Sequence, residues 1–283
     1  MILVTTDGSQ RSTNVLSHAV ALARICKEQI SLLRVFDPAE LASELNSRWP
    51  AALKREVEAL EQGMDRLLET ASVSGETHAE PLLKGESVPQ AILRFAAQTD
   101  TSLIAMDSRG HGAIRHALLG SVAMEVIAHS PLPVMVTGSE IGPVDVKDSY
   151  VIVATTDCSS ASEQVFHALE AIWALPQVSV ALTNVYVPAL ADRGDQAEVQ
   201  GRYELLADIQ RRLLSGARCE LIVRRARDLT MSESLVLDTA RDMKASTIAM
   251  STKGHSAKRH VVLGSFAAAV LGRSPLPVIL VKA

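Results

Sequence analysis

The chain opens on a short apolar run, Ile2-Leu3-Val4-Thr5-Thr6, that stops at Asp7. A run this brief, rich in β-branched residues and closed by polar ones, predicts a buried strand. From about Ser12 to Lys27 the period changes. Val15, Ala19, Leu22 and Cys26 recur at spacings of three and four, which puts them on one face of a helix. ISLLRVF, from Ile30 to Phe36, predicts a second strand, and Val57, Leu60, Met64, Leu67 and Leu68 mark an amphipathic helix. HAEPLLK (78–84) predicts a third strand, AILRFAAQT (91–99) a helix and SLIAM (102–106) a fourth strand. SVAMEVIAHS (121–130) then predicts a helix and PVMVT (133–137) a fifth strand.

The same pattern then runs again. MILVTTDGSQRS at the start matches YVIVATTDCSSAS at Tyr150, an offset of 150 that pairs Asp7 with Asp157 and Val35 with Val185. Later landmarks keep step at an offset of 144: Gly110 with Gly254, Gly120 with Gly264, and SPLPV at Ser130 with SPLPV at Ser274. The second copy is therefore six residues shorter in its middle. A long co-linear match with one deletion is a tandem duplication. Between the copies, residues 138–148 carry Gly142-Pro143 and acidic residues, the composition of a joint. The expected domains are 1–140 and 148–283.

Short buried strands joined through helices pair in parallel with right-handed crossovers. The expected fold class is α/β: two tandem doubly wound domains, each a five-stranded parallel sheet flanked by helices. In such sheets ligands bind beyond the carboxyl ends of the strands, where the strand order reverses. Asp7 ends strand one and a glycine-bearing loop follows strand four, so both face one crevice if those strands flank the reversal.

Composition narrows the function classes. A formal charge of -4 offers no basic field for nucleic acid, and 3% aromatic residues leave few rings for base stacking. No run of about 18 apolar residues occurs, so no membrane span is expected. The N-terminal residues lack the charged flank and long apolar core of a signal peptide. Cys26, Cys158 and Cys219 are scattered and odd in number, which reads as reduced thiols in a cytoplasmic protein.

The chemistry concentrates in SRGHGAIRHALLGS, from Ser108 to Ser121, and its twin TKGHSAKRHVVLGS, from Thr252 to Ser265. A strand ending in Asp7-Gly8-Ser9, this glycine loop after strand four, a closing Gly-Ser and a Pro-flanked last strand, all occurring twice, resemble the universal stress protein family in its tandem form. The resemblance covers nearly the whole chain. It implies a nucleotide-binding fold of the adenine alpha hydrolase-like kind, in two branches. One branch binds ATP or a related nucleotide with Mg²⁺; the other keeps the fold and binds none. Carried over by position, the first copy would use Thr6, Asp7, Val35, Met106, Arg109, Gly110, Gly120, Ser121 and Val122. The second would use Thr156, Asp157, Val185, Met250, Lys253, Gly254, Gly264, Ser265 and Phe266. The resemblance also suggests that PVMVT and PVILV pair through strand five, joining the two domains within one chain, with a further homodimer left open.

Both copies depart from the family pattern where Gly-x-x-Gly begins: Asp107 stands there in one and Ser251 in the other. A carboxylate about 5 Å from an anion, at an effective dielectric of about 20, is repelled by roughly 3 kcal/mol. Arg109, His111, Arg115 or a bound divalent cation would offset that. Ser251 is milder, since a hydroxyl can donate a hydrogen bond. The second copy changes elsewhere: Gly85-Glu86 becomes Leu229-Thr230, Gly8 becomes Cys158, and Phe266 replaces Val122, where its bulk would crowd a phosphate.

Plainer readings stand beside these. Ser121 and Ser265 suit either a helix cap or an anion site. Asp7 and Asp157 suit either first-turn caps or ligand contacts. His111, His116, His255 and His260 are spaced by five, which does not place both imidazoles on one helix face, so no metal site is expected. Cys158 reads as a small buried thiol before it reads as a redox centre. No Ser, His and Asp arrangement has a nucleophile-elbow context, and no general base stands beside a formed metal site. The expected function is a non-enzymatic stress-response sensor or regulator with degenerate or asymmetric nucleotide pockets. A scaffold of the same fold that binds no nucleotide is the alternative, and a slow ATPase ranks last.

Overall fold

The computed structural model describes residues 1–40, 49–108, 119–138, 141–144, 148–188, 196–254 and 262–283. The chain divides into two compact units, Met1–Ser130 with Gly142–Val146, and Pro131–Ile141 with Lys147–Ala283.

In the first unit, strand β1 (Ile2–Thr5) leads into helix α1 (Gln10–Cys26), β2 (Ile30–Phe36) and α2 (Trp49–Thr70). Then come β3 (Gly75–Pro81), α3 (Val88–Gln98), β4 (Leu103–Asp107) and α4 (Ser121–His129). The strands lie in the order β3-β2-β1-β4, with every pairing parallel: Ile2 stands opposite Ile30 on one side and Leu103 on the other. The order reverses between β1 and β4, which opens a crevice beyond their carboxyl ends. The face of α1 expected from its period is the buried one, with Val15, Ala19 and Leu22 fully enclosed. Enclosing the Val15 and Leu22 side chains contributes about 1.5–3 kcal/mol each. The third strand runs from Gly75 to Pro81 rather than from 78 to 84, because its edge position leaves Gly75 and Glu76 exposed and without an apolar signal.

The second unit contains β5 (Val134–Thr137), β6 (Tyr150–Thr155), α5 (Ser160–Ala168), α6 (Glu170–Trp173) and β7 (Val178–Tyr186). It continues with α7 (Gln196–Leu213), β8 (Arg218–Arg225), α8 (Leu229–Asp242), β9 (Thr247–Ser251), α9 (Ser265–Arg273) and β10 (Val278–Val281). Its strand order is β5-β10-β9-β6-β7-β8. All pairings are parallel except β5 with β10, which run antiparallel with Val136 opposite Val278. Here the reversal lies between β6 and β9. The α/β class and the tandem build on parallel strands are thus the architecture of the chain.

Two local differences separate the copies. The counterpart of α1 is broken into α5 and α6, and Trp173 Nε1 donates to the Phe166 carbonyl at 3.0 Å across the break. The counterpart of α3 is longer: α3 has 11 residues and α8 has 14. Gly85 sits at φ +80, outside any helix, whereas Leu229-Thr230-Met231 take helical positions and Asp228 caps them, accepting from the Met231 N–H at 2.8 Å. Losing a glycine that favours a left-handed turn, and gaining an N-cap carboxylate, adds one helical turn. Among the described residues no helix is long and apolar enough to cross a membrane.

Candidate functional site

Each copy builds its site first from the turn that ends strand one. The Thr6 hydroxyl accepts from the Gly8 N–H at 3.0 Å, and Asp7 Oδ1 accepts from the Ser9 N–H at 2.9 Å. The second copy repeats both bonds, with Cys158 N–H to Thr156 Oγ1 at 2.9 Å and Ser159 N–H to Asp157 Oδ1 at 3.0 Å. The aspartates therefore hold a side-chain turn ahead of the helix. The N-caps are Ser9 and Ser159, so the first-turn cap reading of the aspartates does not apply. Asp157 Oδ2 lies against Gly254: a Cβ added to that glycine would stand 2.5 Å from it.

The turn needs a left-handed residue at its third position, and the two copies meet that need differently. Gly8 has φ +81 and Cys158 has φ +63. A side chain at residue 8 would strike Arg34 Nη1 at 2.5 Å, so a guanidinium from β2 covers that turn. At the position matching Arg34 the second copy has Asn184. Its amide donates to the Thr156 carbonyl at 2.8 Å and reaches Cys158 Sγ at 4.0 Å. Arg202 from α7 then supplies the guanidinium, donating to Asn184 Oδ1 at 3.2 Å and lying 4.0 Å over the Tyr186 ring. Burial pushes the Cys158 thiol up, and it pushes Cys219 to about 11 and Cys26 to about 12, so none is poised as a thiolate at neutral pH. All three cysteines are free.

The Gly-Ser pairs form the second wall. Gly120 and Gly264, not the serines, are the N-caps of α4 and α9; Ser121 and Ser265 are the first helical residues. Glycine has no side chain to accept from the first N–H groups, so those of Ser265, Phe266 and Ala267 have no intrahelical partner and point out of the helix start. A helix N-terminus of this kind favours anions. The pairs are pinned from behind by Gly120 N–H to the Ser108 carbonyl at 2.6 Å and Gly264 N–H to the Thr252 carbonyl at 2.7 Å. Ser251 does not offer the donor expected of it, because its hydroxyl donates to the Lys253 carbonyl at 2.6 Å.

All nine positions expected in the second copy line one cavity of about 480 Å³: Thr156, Asp157, Val185, Met250, Lys253, Gly254, Gly264, Ser265 and Phe266. Phe266 lines this space without filling it. In the first copy Thr6, Asp7, Val35, Met106, Gly120, Ser121 and Val122 line a cavity of about 320 Å³, with Asp107 in the wall. Arg109 and Gly110, with His111, Arg115 and His116, lie outside the described residues, as do His255, Lys258, Arg259 and His260.

Several lining residues went unassigned in the sequence. Thr183 shares the strand face of Val185, Val187 follows the end of β7, and Ser232 and Val236 are one turn apart on α8. Period two from Val185 and period four on the third helix were the available signals. Their counterparts are Leu33, Val88 and Ile92 in the first cavity. Replacing Leu33 and Val88 by Thr183 and Ser232 removes bulk and adds hydroxyls on that side of the second cavity.

Fold and site together define a duplicated α/β protein with a ligand-sized crevice at each strand-order reversal. The sequence model of the Universal stress protein family matches residues 1–138 and again 150–282, and the chain belongs to that family. It is 32% identical over 143 residues to a universal stress protein of Methanocaldococcus jannaschii, covering 48% of this chain and 79% of that one. A universal stress protein of Thermus aquaticus is 29% identical over 135 residues, covering 47% and 95%. The crystal structure of a universal stress protein from Archaeoglobus fulgidus aligns over 99% of this chain and 95% of its own, with a TM-score of 0.65 at 21% identity, a likeness of fold.

Proposed function

We propose that this chain is a nucleotide-responsive stress protein, cytoplasmic and non-enzymatic, in which the second cavity binds ATP or a related nucleotide and the first is impaired. The observation that carries this reading is the convergence of nine positions on one cavity of about 480 Å³ whose wall includes the uncapped start of α9. Gly264-Ser265 and Lys253-Gly254 would meet the phosphates, with Mg²⁺ accompanying them; Asp157 and Val185 would lie toward the nucleoside. The group would supply charge and shape to be sensed, and this chain's residues would bind and orient it.

Asp107 in the wall of the first cavity favours the other reading for that half, a domain kept for its fold and its contacts. The domains proposed are 1–140 and 148–283, associated through strand five; the antiparallel β5–β10 ladder supports that association. Calorimetric titration of the full chain with ATP, with and without Mg²⁺, tests the proposal. One site per chain, abolished by Gly254→Val and retained by Gly110→Val, is the expected result. Two equal sites would overturn the asymmetry, and no binding would leave the scaffold reading in its place.

A further inference from the structure

Beside the second cavity lies another, of about 490 Å³, lined by Pro188, Arg225, Ala226, Arg227 and Met231. None of these residues lines the second cavity itself. The two are close neighbours all the same. Val187 and Ser232 belong to the wall of the second cavity, and the residues bonded to them, Pro188 and Met231, belong to the wall of this side cavity.

Local bonds hold the side cavity in shape. Strand β8 ends at Arg225, opposite Tyr186 on β7, and the Ala226 N–H donates to the Tyr186 carbonyl at 2.8 Å, which fixes the turn out of the strand. The Arg227 N–H donates to Met231 Sδ at 3.4 Å, so the methionine in the first turn of α8 is tied back to the strand end. Ala226 is buried, whereas Met231 is exposed although it is large and apolar.

Arg225 and Arg227 are the charged residues of this wall, and both are exposed. Arg202, Arg211, Arg212, Arg224, Arg241 and Arg273 of the same unit each pair with a carboxylate. Arg225 and Arg227 pair with none among the described residues. The acid next in sequence, Asp228, uses Oδ1 to cap α8 through the Met231 N–H at 2.8 Å. Two cations so close in the chain repel one another, and an anion between them relieves that repulsion while accepting charge-assisted hydrogen bonds. At the matching positions the first copy has Pro81 and Leu83, so the pair belongs to the second copy alone.

We propose that the side cavity binds a small phosphate monoester, with the phosphate on Arg225 and Arg227 and a short apolar body against Pro188, Ala226 and Met231. A phosphate monoester carries about -1.5 to -2 charges at neutral pH, which two guanidinium groups complement. The site is separate from the second cavity and does not depend on the nucleotide reading.

The full chain labelled with ¹³C at its methionine methyls reports this site through Met231, whose signal is the one missing from Met231→Leu. Titration with butyl phosphate should shift that signal saturably. Inorganic phosphate, which lacks the apolar body, should bind roughly threefold or more weakly, and butanol should not bind. Arg225→Gln with Arg227→Gln should weaken butyl phosphate by about tenfold or more, with the circular dichroism spectrum unchanged. Gly254→Val should leave the titration as it is in wild type. No saturable shift at Met231, or a shift that survives the double arginine substitution, overturns the proposal. A shift lost in Gly254→Val would assign the phosphate to the second cavity and overturn it as well.

Discussion

The two cavities descend from one plan and have diverged on opposite walls. Both keep the strand-one turn, with the same two hydrogen bonds made by Thr6 and Asp7 or by Thr156 and Asp157. Both keep a glycine N-cap bonded to the loop behind it. They differ where β4 or β9 ends, Asp107 against Ser251, and on the wall facing it, Leu33 and Val88 against Thr183 and Ser232. The invariant parts are backbone devices that any ligand of the fold would need. The variable parts set charge and polarity, so the comparison separates the frame of the site from its selectivity.

The comparison breaks most sharply at Gly254. A side chain there would meet Asp157 Oδ2 at 2.5 Å, and that carboxylate is held in place by the Ser159 N–H. Gly254→Val should weaken nucleotide binding at the second cavity a hundredfold or more, about 3 kcal/mol, with folding intact by circular dichroism. Next comes Asp107→Gly, which removes the carboxylate from the first cavity. If repulsion of up to roughly 3 kcal/mol silences that half, the variant should gain a second calorimetric site with tenfold or more improved affinity. An unchanged stoichiometry would place the impairment elsewhere.

A smaller difference should show in pH dependence. His18 is buried in the first unit with its Nε2–H donating to the Gly142 carbonyl at 3.0 Å, and the second copy has Ala168 at that position. Burial holds the imidazole below its ordinary value, outweighing the opposing pull of the Gly142 hydrogen bond. A depressed folded-state value favours the neutral ring, so its contribution is complete above about pH 6.5 and is lost as pH falls below it. Thermal melts between pH 7.5 and 5 should lose stability in wild type, and His18→Gln, which keeps a donor, should flatten that slope.

The smallest effect expected is the relief of the left-handed backbone at Cys158. Cys158→Gly removes a cost of about 1 kcal/mol while giving up the thiol's packing, so a denaturation midpoint should move by less than that equivalent. Gly8→Cys should be destabilising by about 1–3 kcal/mol, because the new side chain meets Arg34. Equal shifts in both directions would dissolve the contrast between the turns.

The succession of strands and helices, the tandem build and most positions that line the cavities were legible because they rest on strict periods and on a repeat. Val15, Ala19 and Leu22 announced the buried face of α1, and the offset of 144 paired Gly110 with Gly254 and Gly120 with Gly264. What escaped was set by neighbours distant in sequence. Ser265 carries the residue type of an N-cap, yet Gly264 takes that place because its close approach to the Thr252 carbonyl fixes where the helix starts. The role of Arg202 was hidden because α7 lies in the stretch where the copies differ in length, so no counterpart pointed to it. Ser251 looked like a donor until its proton was found on a carbonyl two residues away.

The pairs Gly8 with Arg34 and Cys158 with Asn184 also limit which residues can be exchanged between the halves. In the first turn a side chain at residue 8 would displace the Arg34 guanidinium, so glycine and arginine suit one another there. In the second turn Arg202 rests on Asn184 and Tyr186, so an arginine at 184 would meet a like charge already in residence. Each turn and its partner therefore form a matched set, and a residue moved singly from one half to the other meets a neighbour suited to something else.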